Sequence, residues 1–312
     1  MDIDRLLDPE VAEAVKAMPP LVVTTEILPT MRANRRMLAE AATRSPDVTR
    51  TDIMIDGPEG SPQVRLRVFR HRDTVGEVGC LYWIHGGGYV SGLPEQNDPM
   101  FDHLCTALKC VGVAVQYRLA PETPYPGGLN DCYAGLVHVF ENASALGIDR
   151  TRIGIGGASA GGGLAAALAL VARDRGEVNV AFQYLVYPMI DDRQVTESSS
   201  WEVPVWSPAS NTFGWKSYLG ELYGTDVPAY AAPTRASDLT GLPPTYVIVG
   251  TLDGFLDEDV EYAMRLVRSG VSTELHVYPG APHGFDAFLP GTNLSRRARV
   301  ASDDWLNRMM NP

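Results

Sequence analysis

Five small residues, Gly157-Ala158-Ser159-Ala160-Gly161, surround a serine whose hydroxyl could attack an acyl carbon. A sharp turn from strand to helix leaves no room for side chains two positions either side of its centre, and glycine at both ends fits the G-x-S-x-G elbow that exposes such a hydroxyl. A small-residue turn with an idle serine gives the same string, so the rest of the chain must decide. A dinucleotide-binding reading from Gly154 and Gly156 is discounted because its third glycine would fall on Ser159.

Acyl transfer to serine needs a histidine to take the proton and a carboxylate to fix the tautomer of that imidazole. In the order serine, acid, histidine, only His276 and His283 follow Ser159. His276 falls inside the run 274–278. His283, in Pro282-His283-Gly284-Phe285, lies in the loop beyond it, where reactive groups of parallel sheets collect. For the acid, Asp253 follows the run 246–249 at its carboxyl end, while Asp257, Glu258 and Asp259 run into the next helix and suit its N-terminus electrostatically. Asp253 and His283 are the expected partners of Ser159.

The negative charge of a tetrahedral intermediate needs N–H donors. Ala160, at the start of a helix, points one toward it. Another source is His85-Gly86-Gly87-Gly88-Tyr89, where consecutive glycines can turn backbone N–H groups toward a ligand without Cβ interference. His85 stands too early in the chain to be the base and is assigned to orienting this loop; a satisfied buried histidine is the alternative.

These groups need a scaffold, and the chain supplies one. Short apolar runs without alternation at 81–84, 111–115, 153–155 and 184–187 read as strands buried on both faces, separated by helix-length segments. Runs 246–249 and 274–278 flank a helical stretch at 258–269. This alternation implies a mostly parallel sheet with right-handed crossovers. Upstream, 51–55 and 64–69 alternate in polarity around Gly57-Pro58-Glu59-Gly60, as an antiparallel hairpin at a sheet edge does. Residues 1–45 look helical, with Asp8-Pro9 as a helix start and strong helix formers at 31–42. Residues 191–226 break the rhythm with Trp201, Trp206, Phe213, Trp215 and Tyr218 among serines and prolines, a candidate lid whose aromatics serve either core packing or substrate contact.

Composition narrows the partners. With 45% hydrophobic and 21% charged residues, the 312-residue chain can build a large core, and its net charge of −12 disfavours nucleic acid and anionic membranes. Neither a signal-peptide pattern nor an 18-residue apolar stretch is present, so a cytoplasmic location is expected. Cys80, Cys105, Cys110 and Cys132 lack zinc-ligand spacing and are expected to be buried free thiols.

Taken in order, His85-Gly86-Gly87-Gly88, Tyr117-Arg118-Leu119-Ala120-Pro121-Glu122, Gly157-Ala158-Ser159-Ala160-Gly161-Gly162, Asp253 with Asp257-Glu258, and His283-Gly284-Phe285 resemble the hormone-sensitive-lipase-like branch of the α/β-hydrolases, microbial carboxylesterases. The resemblance spans roughly residue 50 to the C-terminus. It implies an α/β-hydrolase fold with a mostly parallel central sheet, flanking helices and a helical cap. It further implies a Ser159-Asp253-His283 triad, an oxyanion hole of Gly87, Gly88 and Ala160, and Gly86 shaping the loop. The implied division is 1–45 for the N-terminal part of the cap, 46–190 and 227–312 for the catalytic core, and 191–226 for the cap insertion. The implied activity is hydrolysis of short- to medium-chain carboxylic esters through an acyl-enzyme, without metal or cofactor, by a monomer or homodimer. Hydrolysis of an amide, thioester or carbamate, or a receptor on the same fold, are the rival readings. In two places the chain departs from the family. Ala158 stands where an acidic residue commonly precedes the serine, and Gly254-Phe255-Leu256 stands where Pro-Leu-Arg is frequent.

Overall fold

The structure is a computed structural model that describes residues 3–17 and 22–311. The parts of the expected N-terminal helical region at 1–2 and 18–21 lie outside the described residues. The strands are β1 Val48–Ile55, β2 Val64–His71, β3 Val78–Ile84, β4 Val111–Gln116, β5 Ile148–Ala158, β6 Gln183–Val186, β7 Thr245–Leu252 and β8 Thr273–Pro282. The helices are α1 Ile3–Leu6, α2 Pro9–Ala17, α3 Leu28–Ala41, α4 Asp98–Leu108, α5 Gly127–Glu141, α6 Ala160–Arg175, α7 Pro208–Leu219, α8 Leu256–Arg268, α9 Phe285–Phe288 and α10 Asn293–Met310.

Among the described residues the strands form one sheet in the order β1-β2-β4-β3-β5-β6-β7-β8. The alternating β1 and β2 pair antiparallel, Ile53 opposite Leu66, and β2 joins β4 antiparallel. The remaining pairings are parallel. Alternation and its loss in the sequence thus separate the half-exposed edge from the interior, because a strand covered on both faces has no solvent side. Cys80, Tyr82 and Ile84 of β3 enter one apolar core with α5 and α6, while Leu81 and Trp83 enter the other with α4 and α10.

The order β4-β3-β5 fixes the place of the site. From β3 the chain moves to one side for β4 and to the other for β5, which opens a crevice at their carboxyl ends. The glycine loop leaves β3 there and Ser159 leaves β5, with Ile84 in register with Gly157. Helix α6 is apolar and buried from Ala160 through Ala172. Two segments stand outside the layers: α3, and residues 191–226, which leave the sheet between β6 and β7 and contain α7. The backbone N–H of Val23, just before α3, donates to Ser210 Oγ on α7 at 3.0 Å.

Candidate active site

Each reactive group emerges from the carboxyl end of a parallel strand: the glycine loop from β3, Ser159 from β5, Asp253 from β7 and His283 from β8. Strands β7 and β8 are neighbours, with Leu252 opposite Pro282, so Asp253 and His283 arrive side by side despite a sequence separation of 30. His283 Nδ1 lies 2.7 Å from Asp253 Oδ2, and its Nε2 lies 2.9 Å from Ser159 Oγ. With the carboxylate as acceptor, Nδ1 carries the proton and Nε2 is left to receive the serine's. The other oxygen of Asp253 accepts the backbone N–H of Phe255 at 3.1 Å, which fixes the carboxylate plane. All three side chains are buried, with Ser159 8% exposed. His276 stays on β8, 2.8 Å from Glu274, and takes no part.

Ser159 has φ 57° and ψ −125°, a region a side chain enters at a cost of about 1–3 kcal/mol. Three backbone bonds offset this. Its N–H donates to Val186 O at 2.9 Å, and its carbonyl accepts from Met189 N at 2.9 Å and Gly163 N at 3.0 Å. At about 0.5–1.5 kcal/mol each, these match the strain. The elbow is therefore braced through the backbone that follows β6, and Ala158 leaves no gap in that bracing.

The glycine loop abuts this turn. A Cβ on Gly86 would lie 2.6 Å from Ala158 O and 3.2 Å from Ser159 Cβ, so only glycine permits the approach. Gly87 and Gly88 have φ of 135° and 61°, and Ala160 begins α6, where the first N–H groups lack intrahelical acceptors. His85 lies beneath the loop. Its Nδ1 donates to Gly86 O at 3.1 Å, its ring stacks on Tyr117 at 4.3 Å, and Tyr117 Oη donates to His85 O at 3.0 Å. Burial lowers the pKa of His85 to about 4, so its imidazole is neutral near pH 7.

Asp257, Glu258 and Asp259 stand in the first turn of α8, but in different surroundings. Asp257 accepts the N–H of Ser198 at 2.8 Å, but Glu258 and Asp259 are buried, and desolvation holds both carboxyls well above the usual range. Glu258 Oε1 accepts N–H groups from Ile190 and Asp191 at 3.2 and 3.3 Å, which anchors the same segment that braces Ser159.

Structure also adds residues that the sequence did not single out. Tyr187 follows β6, with its ring centre 4.7 Å from that of the His283 imidazole. Phe255 touches the same imidazole from another side at 5.1 Å. The sole hint was that Tyr187 sits at a strand's carboxyl end. The aromatics of 191–226 divide: Trp215 and Tyr218 are core, while Trp206 reaches the glycine loop, one ring carbon lying 2.3 Å from where a Cβ on Gly88 would stand. A small recess of about 10 Å³ lies between Trp206 and Phe255, lined also by Trp201, Asn211 and Gly254. A wider open groove beside β1 and α5, at Met54, Tyr133 and His138, contains none of these groups. The four cysteines are free and buried.

Known proteins match this arrangement. A family model for the alpha/beta hydrolase fold matches residues 81–287. Esterase LipI of Mycobacterium tuberculosis is 31% identical over 301 residues, covering 95% of this chain and 94% of its own. Among solved structures, a bacterial heroin esterase superposes with a TM-score of 0.94 at 42% identity over 99% of both chains. Esterase LipW from Mycobacterium marinum superposes with a TM-score of 0.89 at 34% identity, covering 100% of this chain and 98% of that one. With more than half of its length matched by the family model and its sheet and crevice in agreement, the chain belongs to the alpha/beta hydrolase fold family.

Proposed function

We propose that the protein is a serine carboxylesterase acting on small, soluble esters of short- to medium-chain acids. The observation that carries this reading is the continuous path Ser159 Oγ, His283 Nε2, His283 Nδ1, Asp253 Oδ2, with contacts of 2.9 and 2.7 Å in a buried crevice. His283 takes the hydroxyl proton as Ser159 Oγ bonds to the ester carbonyl carbon. The carbonyl oxygen becomes an oxyanion facing the N–H groups of Gly87, Gly88 and Ala160, whose loss one at a time typically costs about 10² to 10³ in turnover. His283 returns the proton to the departing alkoxide, releasing the alcohol and leaving an acyl-Ser159 ester. Water then attacks that ester with His283 again as base, releasing the acid and restoring Ser159. Asp253 holds the imidazole in the required tautomer throughout.

The relatives' names support the ester bond as the target. Residues 1–45 and 191–226 serve as the cap in this reading, and the small recess at Trp206 favours short acyl groups. The test is hydrolysis of p-nitrophenyl esters by wild type and Ser159→Ala, with fluorophosphonate labelling. Labelling at Ser159 and loss of turnover by at least about 10⁴-fold in the variant are expected. Wild-type turnover in Ser159→Ala would overturn the assignment, and an unlabelled, inactive wild type would favour a receptor.

A further inference from the structure

Proton transfer between Ser159 and His283 requires two separately mounted side chains to keep their separation, and the link between their mounts is a tyrosine. The segment after β6 clasps Ser159 from both sides, through Val186 O and Met189 N. Tyr187 lies inside that clasp. It is buried, its N–H donates to Ile248 O at 2.7 Å, and its φ of 36° is in the left-handed region that a bulky residue enters only under tertiary constraint. Its ring packs against the imidazole of His283 in an edge-type contact at an interplanar angle of 63°. Its hydroxyl continues past and donates to Asp286 Oδ1 at 2.9 Å.

Asp286 is three residues beyond His283, on α9. Between them lies Gly284 with φ 71°, a conformation with little intrinsic preference to keep the loop in place. The bond to Asp253 fixes one end of the imidazole but leaves the ring free to swing about that bond. Tyr187 blocks the swing with its edge, and its hydroxyl fastens the loop beyond the glycine. Asp286 is half-buried, desolvation pushes its carboxyl above its ordinary range, and backbone N–H groups of Asp286 and Ala287 also reach it.

We propose that Tyr187 is a positioning residue that locks the His283 imidazole to the backbone segment holding Ser159, with Asp286 as the anchor of its hydroxyl. The inference rests on the reading of Ser159 and His283 as nucleophile and base. Tyr187 touches neither the ester nor the transferred proton. Its effect is on how often Nε2 stands within reach of Oγ, and so on kcat rather than on binding.

Steady-state hydrolysis of p-nitrophenyl acetate by wild type, Tyr187→Phe, Asp286→Ala, Asp286→Asn and the double variant Tyr187→Phe/Asp286→Ala tests this, with melting temperatures and fluorophosphonate labelling alongside. Tyr187→Phe keeps the ring and removes the tie; kcat is expected to fall about 5- to 20-fold with KM within about twofold of wild type. Asp286→Ala should match it. Asp286→Asn, whose amide keeps one hydrogen bond to the hydroxyl in either orientation, should recover to within about threefold of wild type. The double variant should be no slower than either single change, because both break the same tie. Wild-type kcat in Tyr187→Phe, or losses that multiply in the double variant, would overturn the proposal. If Tyr187→Phe does not fold, the Asp286 pair decides: a slow Ala with a recovered Asn supports the tie, and two equally fast or equally slow variants refute it. Failure of the underlying mechanism reads differently, as an unlabelled wild type or an active Ser159→Ala.

Discussion

The carboxyl edge of the sheet and the segments that cover it are held by different means. At the edge, Ser159 is fixed by backbone bonds to Val186, Met189 and Gly163, and the glycine loop by contact with Ala158 and Ser159 that a single methyl would spoil. The covering segments are held mainly by side chains, with a backbone bond from Tyr125 N to Tyr218 O at 2.7 Å beside them. On α3, Arg32 donates to Val90 O at 2.8 Å, Ala120 O at 2.9 Å and Glu122, while Trp206 lies on Gly88. The proposed reactive groups thus rest mostly on backbone bonds that most substitutions cannot remove, and the covering segments mostly on side-chain bonds that a single substitution can. The two are separable, and variants can test the separation.

The largest effect is expected where the two regions meet. Gly88→Ala would put a methyl into the Trp206 ring at a φ that disfavours it, so the loop must shift. Turnover should fall about 10²-fold, as for a misplaced oxyanion donor. If only KM changed, the loop would belong with the covering segments.

Next comes the latch on α3. Arg32→Met strips donors from the carbonyls of buried Val90 and Ala120, costing about 1–3 kcal/mol, whereas Glu122, its side chain 62% exposed, contributes no more than about 1 kcal/mol through its ion pair. Calorimetry should show Arg32→Met melting several degrees lower and Glu122→Gln nearly unchanged. Equal losses would mean the ion pair, not the carbonyl bonds, holds α3.

Trp206→Ala sharpens the comparison from the substrate side. It should leave kcat on p-nitrophenyl acetate within a few-fold and raise relative rates on C8 to C10 esters about tenfold, since each methylene newly accommodated adds up to about 0.8 kcal/mol. An unchanged chain-length profile would show that the recess is not the acyl pocket.

The smallest effect concerns buried charge in the core. Neither oxygen of Asp259 has a hydrogen-bond partner among the described residues, and burial keeps its folded pKa high. A raised carboxyl pKa means that stability is full at low pH and is lost as pH rises above the unfolded value, because the unfolded chain ionises first. Asp259→Asn should therefore melt like wild type near pH 4 and higher than wild type at pH 8. His85 has the opposite sign: its pKa near 4 means stability falls as pH drops from about 6.5 toward 4.

Ser159, Asp253 and His283 were legible because chemistry restricts their residue types and the sheet restricts their order. The strands were legible because burial on both faces abolishes alternation. The burial of Glu258 and Asp259 was not legible, because a carboxylate in a helix's first turn looks the same in sequence whether it faces water or the core. Tyr187 and Trp206 were not identifiable, since which aromatic reaches His283 or Gly88 depends on loop paths set by distant parts of the chain.

Helix α6 has a consequence for how this protein can change. It is enclosed on every side from Ala160 to Ala172, and a Cβ on Gly161 would sit 2.0 Å from Ile84 O. Each residue turns an α-helix by about 100°. A one-residue deletion in its first turn would put Leu164 in the place of Gly163, where a Cβ would already stand 2.0 Å from Met189 O, and an insertion would turn Leu164 and Leu168 out of their sites, with no outward face to receive the displaced side chains. Length changes should therefore accumulate at 191–226 and be absent from 157–172, so that lineages diverge by remodelling the cover while the helix behind Ser159 keeps its residue count.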